Sequence, residues 1–178
     1  MTTICCPHRE ADKTAIEKDT NKGITKIYPR GFNITWGNDD RYWNITNPNE
    51  PGSLYMAELK QVSWLEVTCS TDNVDRGSKY RVGFNVTMRS DAFGWDEIDV
   101  YVMAKVGRKG KFMSMKVSLG DLKPNKTPIT IPKDPLVISV DPSTPIECKT
   151  IHLGLYEVWS SKWKGGLQIH DAFIQKVA

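Results

Sequence analysis

Tyr80-Arg-Val-Gly-Phe-Asn-Val-Thr-Met88 alternates without a break, with Tyr80, Val82, Phe84, Val86 and Met88 on one side and Arg81, Gly83, Asn85 and Thr87 on the other. A period of two marks a strand with one buried face, because successive side chains leave opposite sides of an extended backbone. A helix would scatter the same apolar residues around its circumference. Downstream, Ile98, Val100, Val102, Ala104 and Val106 alternate with Asp99, Tyr101, Met103 and Lys105. Gly107-Arg-Lys-Gly110 then reads as a hairpin loop into a strand carrying Met113, Met115, Val117 and Leu119 on one face. Further strands are expected over Phe32 to Trp36, Val62 to Cys69, Leu136 to Val140, Thr150 to Trp159 and Leu167 to Val177. Roughly eight to ten short strands with turn residues between them predict an all-β fold, an antiparallel β-sandwich of jelly-roll type. The proline-studded stretch from Lys123 to Pro145 belongs on edges and loops.

At 178 residues the chain suits one domain with a tail. Residues 1–23 are rich in Lys, Glu, Asp and Thr and poor in large apolar groups, so a mobile polar leader is expected there, followed by the domain over 24–178. A net charge of +3 is weakly basic and falls short of the dense basic stripe that announces a nucleic-acid partner. No apolar run is long enough to span a bilayer, and Met1-Thr-Thr-Ile-Cys-Cys-Pro-His8 lacks the features of a secretory signal. A cytosolic location is therefore expected, and the sequons at Asn33, Asn44, Asn85 and Asn125 are read as chance. Cys69 and Cys148 lie within or beside apolar patterns and read as small hydrophobes, whereas Cys5 and Cys6 sit adjacent in the polar leader, open to thiols of another chain.

The chemistry is concentrated in Gly31-Phe-Asn-Ile-Thr-Trp-Gly-Asn-Asp-Asp-Arg-Tyr-Trp43, where Trp36 and Trp43 flank a polar turn. An indole face stacks on the C–H face of a pyranose, and Asn38, Asp39, Asp40 and Arg41 can supply directional hydrogen bonds to hydroxyls. The competing reading is that tryptophans beside strands are usually core. Trp64, amid apolar neighbours in Gln-Val-Ser-Trp-Leu-Glu-Val, reads as core, and Trp95 as a loop anchor.

Trp36-Gly-Asn-Asp-Asp-Arg-Tyr-Trp43, Ala57-Glu-Leu-Lys-Gln-Val-Ser-Trp-Leu-Glu66, Tyr156-Glu157 and Trp163-Lys-Gly-Gly-Leu167, in that order, resemble the phloem protein two family, the Nictaba-related plant lectins. The resemblance runs from about Ile24 to the C-terminus and is strongest to the cucurbit phloem lectins, which also carry a short polar leader. It implies a β-sandwich that binds N-acetylglucosamine oligomers, such as chitin fragments or the N-glycan core, without transforming them. It further implies a homodimer, a place in phloem sap or cytoplasm, with the nucleus as another compartment, and a role in plant defence. Trp36 and Trp43 would form the stacking surface, Asn38, Asp39 and Glu157 the hydrogen-bonding groups, and Trp163 a flanking wall, with Trp159 and Lys162 on the same loop. Some relatives present a second acid seven residues before Glu157, where this chain has Thr150. By the same resemblance, oxidation of Cys5 and Cys6 would link domains into disulfide-bonded phloem polymers.

Other chemistries find less support. A glycosidase needs two carboxylates across a cleft, one kept protonated, and Asp39 with Glu157 is the available pair; solvated acids do not meet that requirement. No nucleophile elbow, phosphate-cradling glycine loop or zinc-binding spacing is present, so no catalytic residue, cofactor or metal is assigned. Lys105, Arg108, Lys109, Lys111 and Lys116 cluster around the hairpin and could hold the phosphates of RNA, although charged hairpin tips also guard edge strands.

Overall fold

A computed structural model describes residues 6–46, 56–72, 74–124 and 127–177. Its strands are β1 (Ile16–Asp19), β2 (Ile24–Ile27), β3 (Asn33–Ile34), β4 (Trp43–Ile45), β5 (Ala57–Leu59), β6 (Leu65–Thr71), β7 (Lys79–Phe93), β8 (Val100–Val106), β9 (Met113–Val117), β10 (Ile129–Ser139), β11 (Ile151–Glu157) and β12 (Gly165–Val177). They form two antiparallel sheets, the sandwich that the alternating sequence predicts. In the seven-stranded sheet, β12 is central, with β7 and then β10 on one side. On its other side the C-terminal half of β12 pairs with β2 and the N-terminal half with β5, which in turn carry β1 and β4. The five-stranded sheet runs β3, β6, β11, β8, β9.

The core lies between the sheets. Val82, Phe84, Val86 and Met88 of β7 and Leu167, Ile169, Ala172 and Ile174 of β12 are buried, as are Val67 and Cys69 of β6, Val102 and Ala104 of β8, and Leu153 and Leu155 of β11. Each fully buried large aliphatic or aromatic side chain contributes about 1.5–3 kcal/mol relative to exposure. Phe32 meets Phe84 edge to face at 6.2 Å, joining the chain ahead of β3 to the longest strand. Burial pushes the Cys69 thiol far above its ordinary range, so this residue behaves as the small hydrophobe expected. Among the described residues no helix is long and apolar enough to cross a membrane.

Two features differ from the sequence reading. The stretch expected to be a mobile leader contains β1, paired along its length with β2. Upstream, Arg9 exchanges both backbone hydrogen bonds with Ile34, and the Asp12 N–H donates to Arg30 O at 2.7 Å. These ties are made by the backbone, and Ile16 is the one apolar residue of β1 that packs on the core, so alternation had little to reveal. The second difference is one of extent: β10 crosses the proline-studded stretch as the edge strand expected there, but it starts at Ile129, ahead of the strand expected from Leu136. Among the described residues it pairs only with β7, and its register breaks between Ile131 and Leu136, where Pro132 and Pro135 stand; prolines lack the N–H that a central strand requires.

Candidate functional site

The loop after β3 is a compact polar turn. Trp36 takes the left-handed backbone region with φ 65°, which a bulky residue rarely adopts and which costs about 1–3 kcal/mol. Its N–H donates to His8 Nδ1 at 3.0 Å, and its ring meets His8 and Tyr42 edge to face at 5.1 and 6.0 Å. Asp39 organises the rest. Its carboxylate receives the Arg41 N–H and the Arg41 guanidinium in a two-point pair, while its carbonyl accepts the N–H groups of Tyr42 and Trp43. The hydrogen bonds from Arg41 hold the Asp39 carboxyl below its usual range. Asn38 is spent on the chain upstream, its amide donating to Cys6 O and His8 O.

The turn sends Trp36 and Trp43 to different places. Trp36 is 38% exposed and Trp43 only 2%. Trp43 begins β4 and is packed in the core, which corrects its expected role as half of a stacking surface: the strand register turns its side chain inward. Its Nε1 finds no hydrogen-bond partner among the described residues.

The facing loop lies between β11 and β12. Glu157 was expected to reach sugar hydroxyls as a solvated acid, yet it is 1% exposed and its oxygens are committed elsewhere. They accept the Trp159 and Ser160 N–H groups, the Ser160 hydroxyl through a short hydrogen bond, and Lys164 Nζ at 3.0 Å. Lys164 is 0% exposed, and its ammonium donates also to Ser63 O at 2.7 Å and Lys162 O at 3.1 Å. Burial acts to raise the Glu157 carboxyl, but the hydrogen bonds from Ser160 and Lys164 outweigh it and leave the group below its ordinary range. Backbone hydrogen bonds between Lys164 and Val62, 3.0 Å in each direction, bring in the segment carrying Ser63 and Trp64.

Together these segments enclose a groove of about 140 Å³ lined by Trp36, Tyr42, Val62, Ser63, Trp64 and Trp163. Tyr42 and Trp163 lie 6.3 Å apart with rings inclined at 32°. The structure thus brings Trp36 and Trp163 together, leaves Asn38 and Asp39 as supports of the turn, and places Trp43 and Glu157 inside. Trp64 corrects the sequence reading in the opposite direction: it is 45% exposed, its Nε1 donating to Glu66 at 3.3 Å. The buried residues of β6 are Leu65, Val67, Cys69 and Thr71, so parity alone turns Glu66, and Trp64 just ahead of the strand, outward. Tyr42, not its neighbour Trp43, faces the groove, a choice made by the side each residue takes at the start of β4 and not by residue type. Trp159 stands apart, packed edge to face on Tyr101 at 5.1 Å. Trp95 anchors its loop as expected, buried and donating from Nε1 to Gly165 O at 2.9 Å. Cys6 is exposed, while Cys5 lies outside the described residues.

Comparison with known proteins matches residues 22–176 to the family model described as phloem protein 2. The chain is 42% identical to phloem protein 2-like A9 of Arabidopsis thaliana, over 96% of either chain. It is 32% identical to a lectin of Luffa acutangula over 59% of this chain and 51% of that one. A lectin of Coccinia grandis matches 39% of this chain and 46% of its own length at 34% identity. Among solved structures, a Podospora anserina mannanase with an attached carbohydrate-binding module aligns with 88% of this chain and 28% of its own, with a TM-score of 0.51 at 6% identity, a likeness of fold alone. With the family model spanning nearly the whole sandwich and a relative alike from end to end, this chain belongs to the phloem protein 2 family.

Proposed function

We propose that the protein is a lectin that binds N-acetylglucosamine oligomers, chitin fragments or the N-glycan core, in the groove between the two tryptophan-bearing loops. One observation carries this reading: four aromatic residues, Trp36, Tyr42, Trp64 and Trp163, converge on one groove beside Ser63. Flat aromatic walls suit the C–H faces of pyranose rings and the methyl of an acetamide, and they require no net charge in the ligand. The lectins of Luffa acutangula and Coccinia grandis among the relatives support the same reading.

The bound sugar is held and released unchanged. Asp39 and Glu157, the carboxylates that a glycosidase would need, are both stabilised as anions, so neither stores a proton for a leaving group at neutral pH. The setting that fits is phloem sap or cytoplasm, with a role in defence against chitin-bearing organisms. On exposure to an oxidant such as dioxygen, which takes up the two electrons and two protons of each thiol pair, disulfides between copies through exposed Cys6 and its neighbour Cys5 would raise avidity for a glycan-bearing surface. The test is calorimetric titration with chitotriose and with mannotriose. Chitotriose should bind with a small salt dependence, and Trp163→Ala should weaken it by about 1–3 kcal/mol while the fold persists. Equal heats from both sugars would refute the specificity, and an unaltered affinity in folded Trp163→Ala would refute the groove.

A further inference from the structure

The outer face of the five-stranded sheet carries a hollow separate from the aromatic groove. On β11 the outward positions are His152, Gly154 and Tyr156. The register sets His152 between Ser70 of β6 and Lys105 of β8, and Gly154 beside Thr68, which is itself opposite Asn33 of β3. Gly154 lets the Tyr156 ring lie down on the sheet, where it forms one wall of the hollow. A Cβ there would come within 2.3 Å of the Tyr156 ring, which lies across the position a side chain would fill. The cavity of about 220 Å³ is smaller than a drug-sized ligand requires, which limits it to a small molecule or to one end of a larger one.

Its walls are one-sided in charge. Lys105, Arg108 and His152 line it with Thr68, Ser70 and Tyr156, and among the described residues no carboxylate lines it. Lys105 is not a loose surface lysine: its Nζ donates to Arg108 O at 2.9 Å and lies 4.6 Å from the centre of the Phe112 ring, so the hairpin holds the ammonium in place. Burial first, and then the charges of Lys105 and Arg108, hold the His152 imidazole below its ordinary pKa, with Asp72 opposing them. Asp72 at one end and Glu66, paired with Tyr156 in register, at the other balance this charge only in part, and cations gathered at close range are relieved by an anion. The donors come from separate strands and from the hairpin, which suits a tetrahedral oxyanion better than a planar carboxylate.

We propose that this hollow binds the phosphate monoester of a small molecule, with Lys105, Arg108 and His152 receiving the phosphoryl oxygens and Phe112 and Tyr156 flanking the carbon skeleton. The site is distinct from the sugar groove, and each can fail without the other.

The experiment follows the His152 imidazole resonance by NMR at constant ionic strength, with inorganic phosphate, ribose 5-phosphate and ribose as probes. Both phosphates should shift the resonance saturably and raise the His152 pKa, and ribose should do neither. The anion favours imidazolium, while the phosphate monoester itself takes up a proton at about pH 6, so affinity should follow a bell-shaped pH profile, falling at high pH as the imidazole is neutralised and at low pH as the dianion is lost, with Asp72 weakening the His152 limb. Lys105→Gln and Arg108→Gln should each weaken ribose 5-phosphate by roughly tenfold, as loss of a charge-assisted contact does, and leave chitotriose binding unchanged. Unsaturable shifts reproduced by chloride would overturn the proposal in favour of diffuse surface charge. Binding of single-stranded RNA that strengthens with length, while ribose 5-phosphate leaves His152 unmoved, would overturn it in favour of a nucleic-acid surface.

Discussion

The two loops that wall the groove are built by opposite means. The loop after β3 is pinned at its surface by the Asp39–Arg41 pair, whose arginine is 70% exposed, and at its end by apolar Trp43. The loop between β11 and β12 is pinned from within by Glu157 and Lys164, with side chains 2% and 0% exposed. An exposed pair works against solvent and salt and adds little, whereas a buried pair is a lock: once formed, neither member can be removed without stranding the other's charge. Similar walls thus tolerate change very differently.

The sharpest way to break this contrast is Lys164→Ala. It strands the Glu157 carboxylate and frees Ser63 O, and it should cost about 3–5 kcal/mol in a denaturant titration. The double variant Glu157→Leu, Lys164→Met should lose far less than the two single losses added together; simple additivity would show that the pair does not act as a unit. Trp43→Ala should also cost about 3–5 kcal/mol by opening a cavity. Trp43→Phe should cost no more than about 1.5 kcal/mol, since the indole N–H it removes has no partner among the described residues. A Trp43→Ala protein of native stability would return that residue to the surface.

Acid sharpens the comparison further. Glu157 has a depressed folded-state pKa, so its contribution is complete above the ordinary carboxyl value of about 4.3 and is lost as pH falls through the folded value. Melting temperature and chitotriose affinity should therefore both decline below about pH 4 in the native protein, and a Glu157→Gln variant should be weaker at neutral pH with a flatter acid limb. Parallel acid profiles in the two proteins would remove Glu157 from the account. The smallest effect is expected for Arg41→Ala, which should leave the melting temperature within error, because the arginine of the pair is mostly open to solvent.

The sandwich was legible wherever strands alternate, as in β7, β8 and β11. It was illegible where pairing alone makes the strand: β1 and β2 are four residues each and β5 is three, too short for a period to declare itself. In the site, the sequence located both loops and the right residue types. It misassigned the directions of Trp43, Trp64 and Glu157, because facing in or out is decided by register and by ion partners distant in the chain. Glu157 illustrates the limit. Its partner Lys164 lies seven residues away across a turn, and nothing in the spelling Glu-Val-Trp-Ser-Ser-Lys-Trp-Lys says which lysine turns inward.

The division of the indoles also gives the protein an optical character. Trp43 and Trp95 are enclosed in apolar surroundings, and Trp36, Trp64, Trp159 and Trp163 meet water. Emission should accordingly contain a blue component from the inner pair and a red component from the outer four. Acrylamide should quench the red emitters and spare the blue. A glycan seated in the groove should shield Trp36, Trp64 and Trp163 and leave Trp159 open beside Tyr101, so that partial protection, rather than full protection, is the optical mark of occupancy.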